Sequence, residues 1–386
     1  MRIPFIDLKK QFHRLEPEIR RRMDEVLAHG QFILGPEVAE LERELAAFTG
    51  VRHAIACSSG TDALLLALMA HEVGPGDAIF LPPFTFVATA EVVALLGATP
   101  VFVDSDPETF NMDPEALRRA LRALDTGDPG LHPLPATTGK LTPKGVIPVD
   151  IFGLSADYAP IQSLADKHGL FVLEDAAQSF GGLYGDKRCG ALGHVGATSF
   201  FPAKPLGCYG DGGAVFTDDD ELAALMRSLL FHGKGGHRYD NDRIGINGRL
   251  DTLQAAVLLP KLTVFPDELD ARQRVARRYT ELLAPVPGLT LQAIPEGCRS
   301  AWAQFSFLHE RRDAIQEALH AAGIPTAIYY PKPLHMQKAF ADLGYRPEDM
   351  PVSLDLSRRI LSLPMHPYLD DALIEEICAV VAEAAV

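Results

Sequence analysis

The chain has 386 residues, 47% hydrophobic and 23% charged, with a formal net charge of −15 and a pI near 5.3. That size allows a large core in two domains. The acidic balance excludes polyanions such as nucleic acid as main partners and leaves any anionic ligand to a local positive pocket. No apolar run approaches the roughly 20 residues of a membrane helix, and MRIPFIDLKKQF carries no signal-peptide pattern, so the default expectation is a cytoplasmic protein with no membrane partner.

Residues 13 to 29 read as a charged helix, and Glu37 to Phe48 as an amphipathic one, apolar at Val38, Leu41, Leu45 and Phe48. An alternation follows: strand 54–58, helix Thr61–His71, strand 78–82, helix Val87–Leu96, strand 100–104 and helix Asp113–Leu124. Residues 125–144, rich in proline, glycine and threonine, read as a surface insertion. The alternation resumes with strand 145–152, helix Tyr158–His168 and strands 170–175, 197–201 and 213–217. Seven strands alternating with helices predict an α/β fold with a mostly parallel sheet covered on both faces. From Asp219 the pattern turns helical, with one helix at 249–262 and, beyond Pro266, a second at 268–283. Short strands and helices then predict a smaller α+β domain, giving a division into residues 1–260 and 261–386.

The five cysteines, Cys57, Cys189, Cys208, Cys298 and Cys378, are scattered with no CxxC pair and read as reduced thiols. The thirteen histidines form no HExxH, and no metal is expected.

Four stretches carry chemistry. Lys204 sits in SFFPAKPLGCYGDGG between a strand and a glycine-rich turn, fixed by Pro202 and Pro205; a desolvated lysine there has a free amine that can condense with a carbonyl. Ser59, Gly60 and Thr61 follow a strand and open a helix, so their amides point at an anion, for which a phosphate is the natural occupant. Phe84 and Phe86 lie just past a strand end, where a ring can lie flat on a heteroaromatic cofactor. Asp175 ends LFVLED, at the carboxyl edge where open α/β sheets bind ligands, with Gln178 three residues on. Ser199, five residues before Lys204, can donate to the same phosphate. Taken singly, each has a structural alternative: a solvated loop lysine, a helix cap, a core ring, a capping aspartate.

Together, SSGTDAL, EDAAQSFG, SFFPAKPLGCYGDGGAVFT, NGRLDTLQAA and YPKPLHMQ resemble the DegT/DnrJ-type aminotransferases, over nearly the whole chain and in the family's order. The resemblance implies a fold type I enzyme that aminates nucleotide-linked keto sugars with pyridoxal 5'-phosphate held covalently on Lys204 and pyridoxamine phosphate as the intermediate form. It implies that Asp175 pairs with the pyridine nitrogen, that Phe86 and Gln178 flank the ring, and that Ser59, Gly60, Thr61 and Ser199 hold the phosphate. Asn247 would reach the phosphate of a neighbouring subunit in a homodimer with shared sites. Arg249, Tyr330 and His335 are the candidate sugar contacts.

The motifs are most similar to the branch that aminates the 3-keto group of a UDP-linked 2-acetamido-2-deoxy-hexuluronic acid, with L-glutamate as donor, for bacterial surface polysaccharide such as O-antigen. Rivals are a neutral UDP-3-keto-N-acetylglucosamine aminotransferase serving lipid A, a 4-amino sugar transaminase, and a sugar-nucleotide sensor that lost catalysis. Lys204 and Asp175, which a pure binder does not need, weigh against the sensor. The chain departs from its relatives at Tyr329–Tyr330, where they often carry His-Tyr, and in the loop from Lys234 to Arg243.

Overall fold

The computed structural model describes residues 3–237 and 239–386. Helices α1 (Leu8–His29) and α2 (Pro36–Thr49) lead into β1 (His53–Cys57), α3 (Gly60–Ala70), β2 (Asp77–Leu81), α4 (Ala88–Leu95), β3 (Thr99–Phe102) and α5 (Pro114–Thr126). The order continues with β4 (Thr142–Val146), α6 (Tyr158–His168), β5 (Phe171–Asp175), β6 (Leu183–Tyr184), β7 (Lys187–Arg188), β8 (Val195–Ser199) and β9 (Gly213–Thr217). Seven of these strands form one sheet in the order β1-β9-β8-β5-β4-β2-β3. Only β9 runs antiparallel to its neighbours, β1 and β8; the other pairings are parallel. Six strands therefore end at the same edge, and β9 starts there.

All seven expected strands are present, and one is displaced. The ladder expected at 145–152 ends at Val146, and Ile151–Gly153 forms a 3₁₀ turn with Phe152 at φ 61. Pro148 has no amide to donate, so the regular ladder stops before it. A single bridge, Val149 to Asp175, keeps the segment against the end of β5.

Beyond α7 (Asp220–Leu230), residues Thr252–Leu283 form one 32-residue helix, α8, with Pro260 and Pro266 inside it. The break expected at Pro266 does not occur. Each interior proline costs about 3 kcal/mol; buried Leu258, Leu259, Leu262, Phe265 and Leu269 contribute about 1.5–3 kcal/mol apiece, which outweighs that cost. Residue 260 thus lies within a helix. Up to Leu269, α8 packs with Leu41, Leu45 and Phe180; from Val275 it packs with Phe305, Phe307 and Ile377. The second core is built on β10 (Thr290–Leu291), β12 (Phe305–Leu308) and β13 (Ile360–Leu363), while β11 (Cys298–Arg299) joins β6 and β7. Helices α9 (Arg312–Ala321), α10 (Pro351–Arg359) and α11 (Asp371–Ala385) complete the chain.

The insertion has a visible position. β3 is an edge strand, and the ring of His132 meets the carbonyl of Phe102 at 2.8 Å while Phe102 donates its amide to the Tyr345 hydroxyl at 3.3 Å. Ala136 donates to the carbonyl of Leu343 at 2.8 Å. Covering backbone groups at a sheet edge removes a template for pairing with another chain.

His71, stacked on Phe171 at 4.1 Å, is held near pKa 4 by burial, and His366 likewise. A folded pKa below the ordinary 6.5 means that the unfolded chain binds the proton more readily. Their contribution is therefore present above pH 6.5 and lost as pH falls toward about 4. Urea unfolding across that range should show His71→Phe losing less stability on acidification than the parent.

Candidate active site

Asp175 is fixed at the end of β5 from both sides: its amide donates to the Pro148 carbonyl at 3.0 Å, and its carbonyl accepts from the Asp150 amide at 3.1 Å. Only 6% of the residue is exposed. Burial pushes its carboxyl pKa up, and three partners oppose that: the Thr89 hydroxyl, donating to Oδ2 at 2.8 Å; the Ala177 amide, donating to Oδ1 at 3.2 Å; and the charge of Lys204. Lys204 shows the mirror image. Burial pulls its pKa down, and Asp175 partly restores it. A desolvated amine beside a buried carboxylate gives up its proton more readily than a solvated lysine does. The Lys204 amide donates to the Phe201 carbonyl at 2.8 Å, closing the turn that carries it.

The start of α3 lies against the ends of β8 and β9. A Cβ on Gly60 would sit 2.7 Å from that of Ser199, and one on Gly213 would sit 2.5 Å from the carbonyl of Ser59. Ser59 caps the helix by accepting from the Asp62 amide at 3.0 Å. Ser58 donates to the Asp62 carboxylate. The first-turn amides of Gly60 and Thr61 have no intrahelical acceptor and carry the positive end of the helix dipole. With the Ser199 hydroxyl beside them, they form a cradle of a phosphate's size and charge. The residues present therefore fit pyridoxal phosphate: a desolvated amine, a carboxylate for a ring nitrogen, and a helix end for the phosphate.

Gln178 is buried, accepting from the Phe152 amide at 2.8 Å and donating to the Tyr330 hydroxyl at 3.4 Å. The Phe86 ring, 54% exposed, tilts at 43° against Tyr330 at 6.4 Å. Asn247 pairs with Phe231 and is exposed; the Gly248 carbonyl accepts from the Ser58 amide at 2.7 Å, which sets this segment beside the phosphate cradle. Arg249 pairs with Cys57, lays its guanidinium over the Phe231 ring at 4.7 Å, and keeps a buried Nε without a partner.

His335 is placed elsewhere. It is buried in a 3₁₀ turn, edge-on to Phe102 at 6.4 Å, with Nε2 3.3 Å from the Pro347 carbonyl. The Leu334 amide, tied to the Pro83 carbonyl at 2.8 Å, turns the ring toward β3. The contacts described for His335 are with β3 and the Pro347 turn, and its expected part in holding the sugar stays a proposal.

Sequence reasoning missed Thr89, whose signal was a hydroxyl in the FTFVATA segment that begins α4. It also missed Asp150, which supports the site from behind. The Asp150 carboxylate accepts from Ser179 at 2.7 Å, Tyr158 at 3.0 Å and the Ala156 amide at 2.9 Å. Glu174 accepts from the amides of Gly190 at 2.5 Å and Leu192 at 2.7 Å. These carboxyls and Cys189 converge in space, though not in sequence spacing, and burial pushes both acids up, Asp150 to about 6.

A lysine and an aspartate at the carboxyl edge of a mostly parallel sheet, beside a helix-end phosphate cradle, define the pyridoxal-phosphate aminotransferase class. The profile of the DegT/DnrJ/EryC1/StrS aminotransferase family matches residues 13–382, and the chain belongs to that family. It is 49% identical to the UDP-2-acetamido-2-deoxy-3-oxo-D-glucuronate aminotransferase of Pseudomonas aeruginosa, over 98% of this chain and 99% of that one. It is 42% identical to a UDP-N-acetyl-3-dehydro-alpha-D-glucosamine 3-aminotransferase of Acidithiobacillus ferrooxidans, over 98% and 97%. The crystal structure of a Brucella abortus aminotransferase of the family superposes with a TM-score of 0.94 at 54% identity, over 99% of each chain. Like its family, the protein is an aminotransferase that works with pyridoxal phosphate.

A hydrogen bond to a charged group contributes about 1.5–3 kcal/mol, so Thr89→Val should weaken cofactor binding roughly ten- to a hundredfold, with Thr89→Ser recovering most of it. Titrating cofactor-free protein with pyridoxal phosphate measures this. Gly60→Ala, whose Cβ would meet Ser199, should likewise lose affinity for inorganic phosphate and for the cofactor.

Proposed function

We propose that the protein transfers the amino group of L-glutamate to the 3-keto group of a UDP-linked 2-acetamido-2-deoxy-hexuluronic acid, for bacterial surface polysaccharide made from cytoplasmic sugar nucleotides. The observation that carries the transamination reading is the desolvated Lys204 amine, on the turn after β8, interacting with buried Asp175 at the end of the neighbouring β5. The sugar is argued from the Pseudomonas relative, whose name gives such a substrate. Arg249, set beside the cradle by its pairing with Cys57, would offer its guanidinium to a substrate carboxylate.

When bound, pyridoxal phosphate supplies an aldehyde for the amine and a ring that withdraws electrons. The Lys204 amine, which burial makes easier to deprotonate, takes the donor's α-proton and later returns a proton to the acceptor side. Asp175 would hold positive charge on the ring nitrogen, and Thr89 with Ala177 favours its ionised form and aims it. The amides of Gly60 and Thr61 and the hydroxyls of Ser59 and Ser199 hold the phosphate. Phe86 and Gln178 would flank the ring when it is bound. Tyr330 lines the sugar side, next to Gln178.

Lys204→Ala should abolish turnover and the absorbance of the lysine-linked cofactor. With a panel of UDP-linked keto sugars and glutamate, product mass should identify the 3-keto uronate as the preferred acceptor. Preference for the neutral 3-keto-N-acetylglucosamine would favour the second reading, which the Acidithiobacillus relative supports.

The working unit in this reading is a homodimer with shared sites. Phe32, Ile33, Leu34 and Phe201 are about half exposed in the single chain, apolar area that a second copy would cover. Mixing inactive Lys204→Ala with inactive Asn247→Ala subunits should restore about a quarter of the sites, because each mixed dimer of a random exchange keeps one intact site. No recovery after verified exchange would show that Asn247 serves its own chain.

A further inference from the structure

Lys261 is a charged side chain that the mechanism does not use, and it is only 1% exposed, in the middle of α8. An ammonium in that setting costs several kcal/mol of lost hydration, and a leucine or methionine would fill the same helix position without that cost. Its contacts are concentrated on one loop. Nζ donates to the Gly207 carbonyl at 2.6 Å and stands 4.1 Å over the ring of Tyr209. Besides that ring, the titratable groups facing it are Cys208 and Glu268; burial draws its pKa down to about 8.

The loop it holds is the one that carries Lys204. Gly207 lies three residues beyond Lys204 and folds back tightly on the turn before it: a Cβ there would stand 2.5 Å from the Pro202 carbonyl oxygen and 2.7 Å from that of Phe201. The same Phe201 carbonyl accepts from the Lys204 amide. Moving Gly207 therefore moves the turn that aims the lysine. The rest of the loop is closed by Cys208, whose amide donates to the Phe200 carbonyl at 2.8 Å, and by Phe200, whose amide donates to the Gly212 carbonyl at 2.7 Å.

A second hook comes from the same helix. Gln254 accepts from the Tyr209 amide at 2.9 Å and packs against Gly210. Seven residues separate Gln254 from Lys261, about two helical turns, which puts both on one face of α8. One side chain grips the loop at its carbonyl, the other at its amide.

We infer that Lys261, assisted by Gln254, is a positioning residue for Lys204: it holds the loop at Gly207 so that the Lys204 amine stays desolvated and aimed at the carbon it attacks. This rests on the reading of Lys204 as the residue that bears the cofactor.

The test uses cofactor-free protein and pyridoxal phosphate, following amine capture across a pH series. In capture the free amine adds to the aldehyde carbon and one water leaves, so the rate follows the fraction of uncharged Lys204. In Lys261→Met, capture should slow about ten- to a hundredfold, the scale expected when a reacting group is misplaced by an ångström or so. Its pH midpoint should move upward, toward the ordinary lysine value, as water reaches the amine. In the reconstituted enzyme, kcat should fall in step, with KM for glutamate and keto sugar changed less than about twofold. Gln254→Leu, at a half-buried position, should show the same signature more weakly and serves if Lys261→Met does not fold. Melting temperatures are measured alongside. A variant that melts lower but captures at the parental rate and pH midpoint overturns the inference, since Lys261 then only stabilises α8. A Lys204→Ala control that still captures the aldehyde instead overturns the assignment of Lys204 itself.

Discussion

The structure depends on placing a carboxylate and an amine together away from water. Either group alone would be strongly disfavoured there. Asp175 is tolerable because a hydroxyl, an amide and a nearby cation attend it, and Lys204 because the carboxylate is close. Neither is fully compensated, which is the useful result: the amine is easily uncharged, and the carboxylate retains strong affinity for another cation such as a protonated ring nitrogen. The remaining architecture supplies rigidity to this pair. Six parallel strand ends, a helix start and the 3₁₀ turn at Ile151–Gly153 converge on one edge, so that the groups are held by backbone rather than by mobile side chains.

Support for Asp175 arrives from behind as well as from the side. Asp150 binds the carbonyl of Asp175 through its amide and the hydroxyl of Ser179 through its carboxylate, so one residue ties the strand end to the turn that carries Gln178. Glu174, pointing to the opposite face from Asp175, secures the amides of Gly190 and Leu192. Consecutive acids on one strand thus have opposite tasks, because side chains alternate across a sheet: one faces the site, the other ties down the loop beneath it.

Much of this was legible in the sequence. The seven strands could be read from apolar runs bounded by glycine and proline, since a parallel sheet buries both faces. Lys204, Asp175 and the Ser59–Thr61 turn could be named because each belongs to a contiguous motif. Thr89 could not, since its importance arises only when α4 lies beside the end of β5. The surroundings of His335 were hidden for a related reason: its segment is tied by the Leu334 amide to the Pro83 carbonyl, distant in the chain. Pro266 misled because local propensity marks a break that tertiary packing overrides. Lys261 reads in sequence as an ordinary charged helix residue, and only burial distinguishes it.

The continuity of α8 bears on how the two halves can move. One helix belongs to both cores, so a continuous rod and not a flexible linker joins them. Pro260 and Pro266 leave the carbonyls of Ala256 and Leu262 without their usual helical donors, which makes that stretch the most compliant part of the rod. Lys261 lies between these two soft points. Any flexure of α8 there would reach the loop that carries Lys204 through the Lys261–Gly207 hydrogen bond.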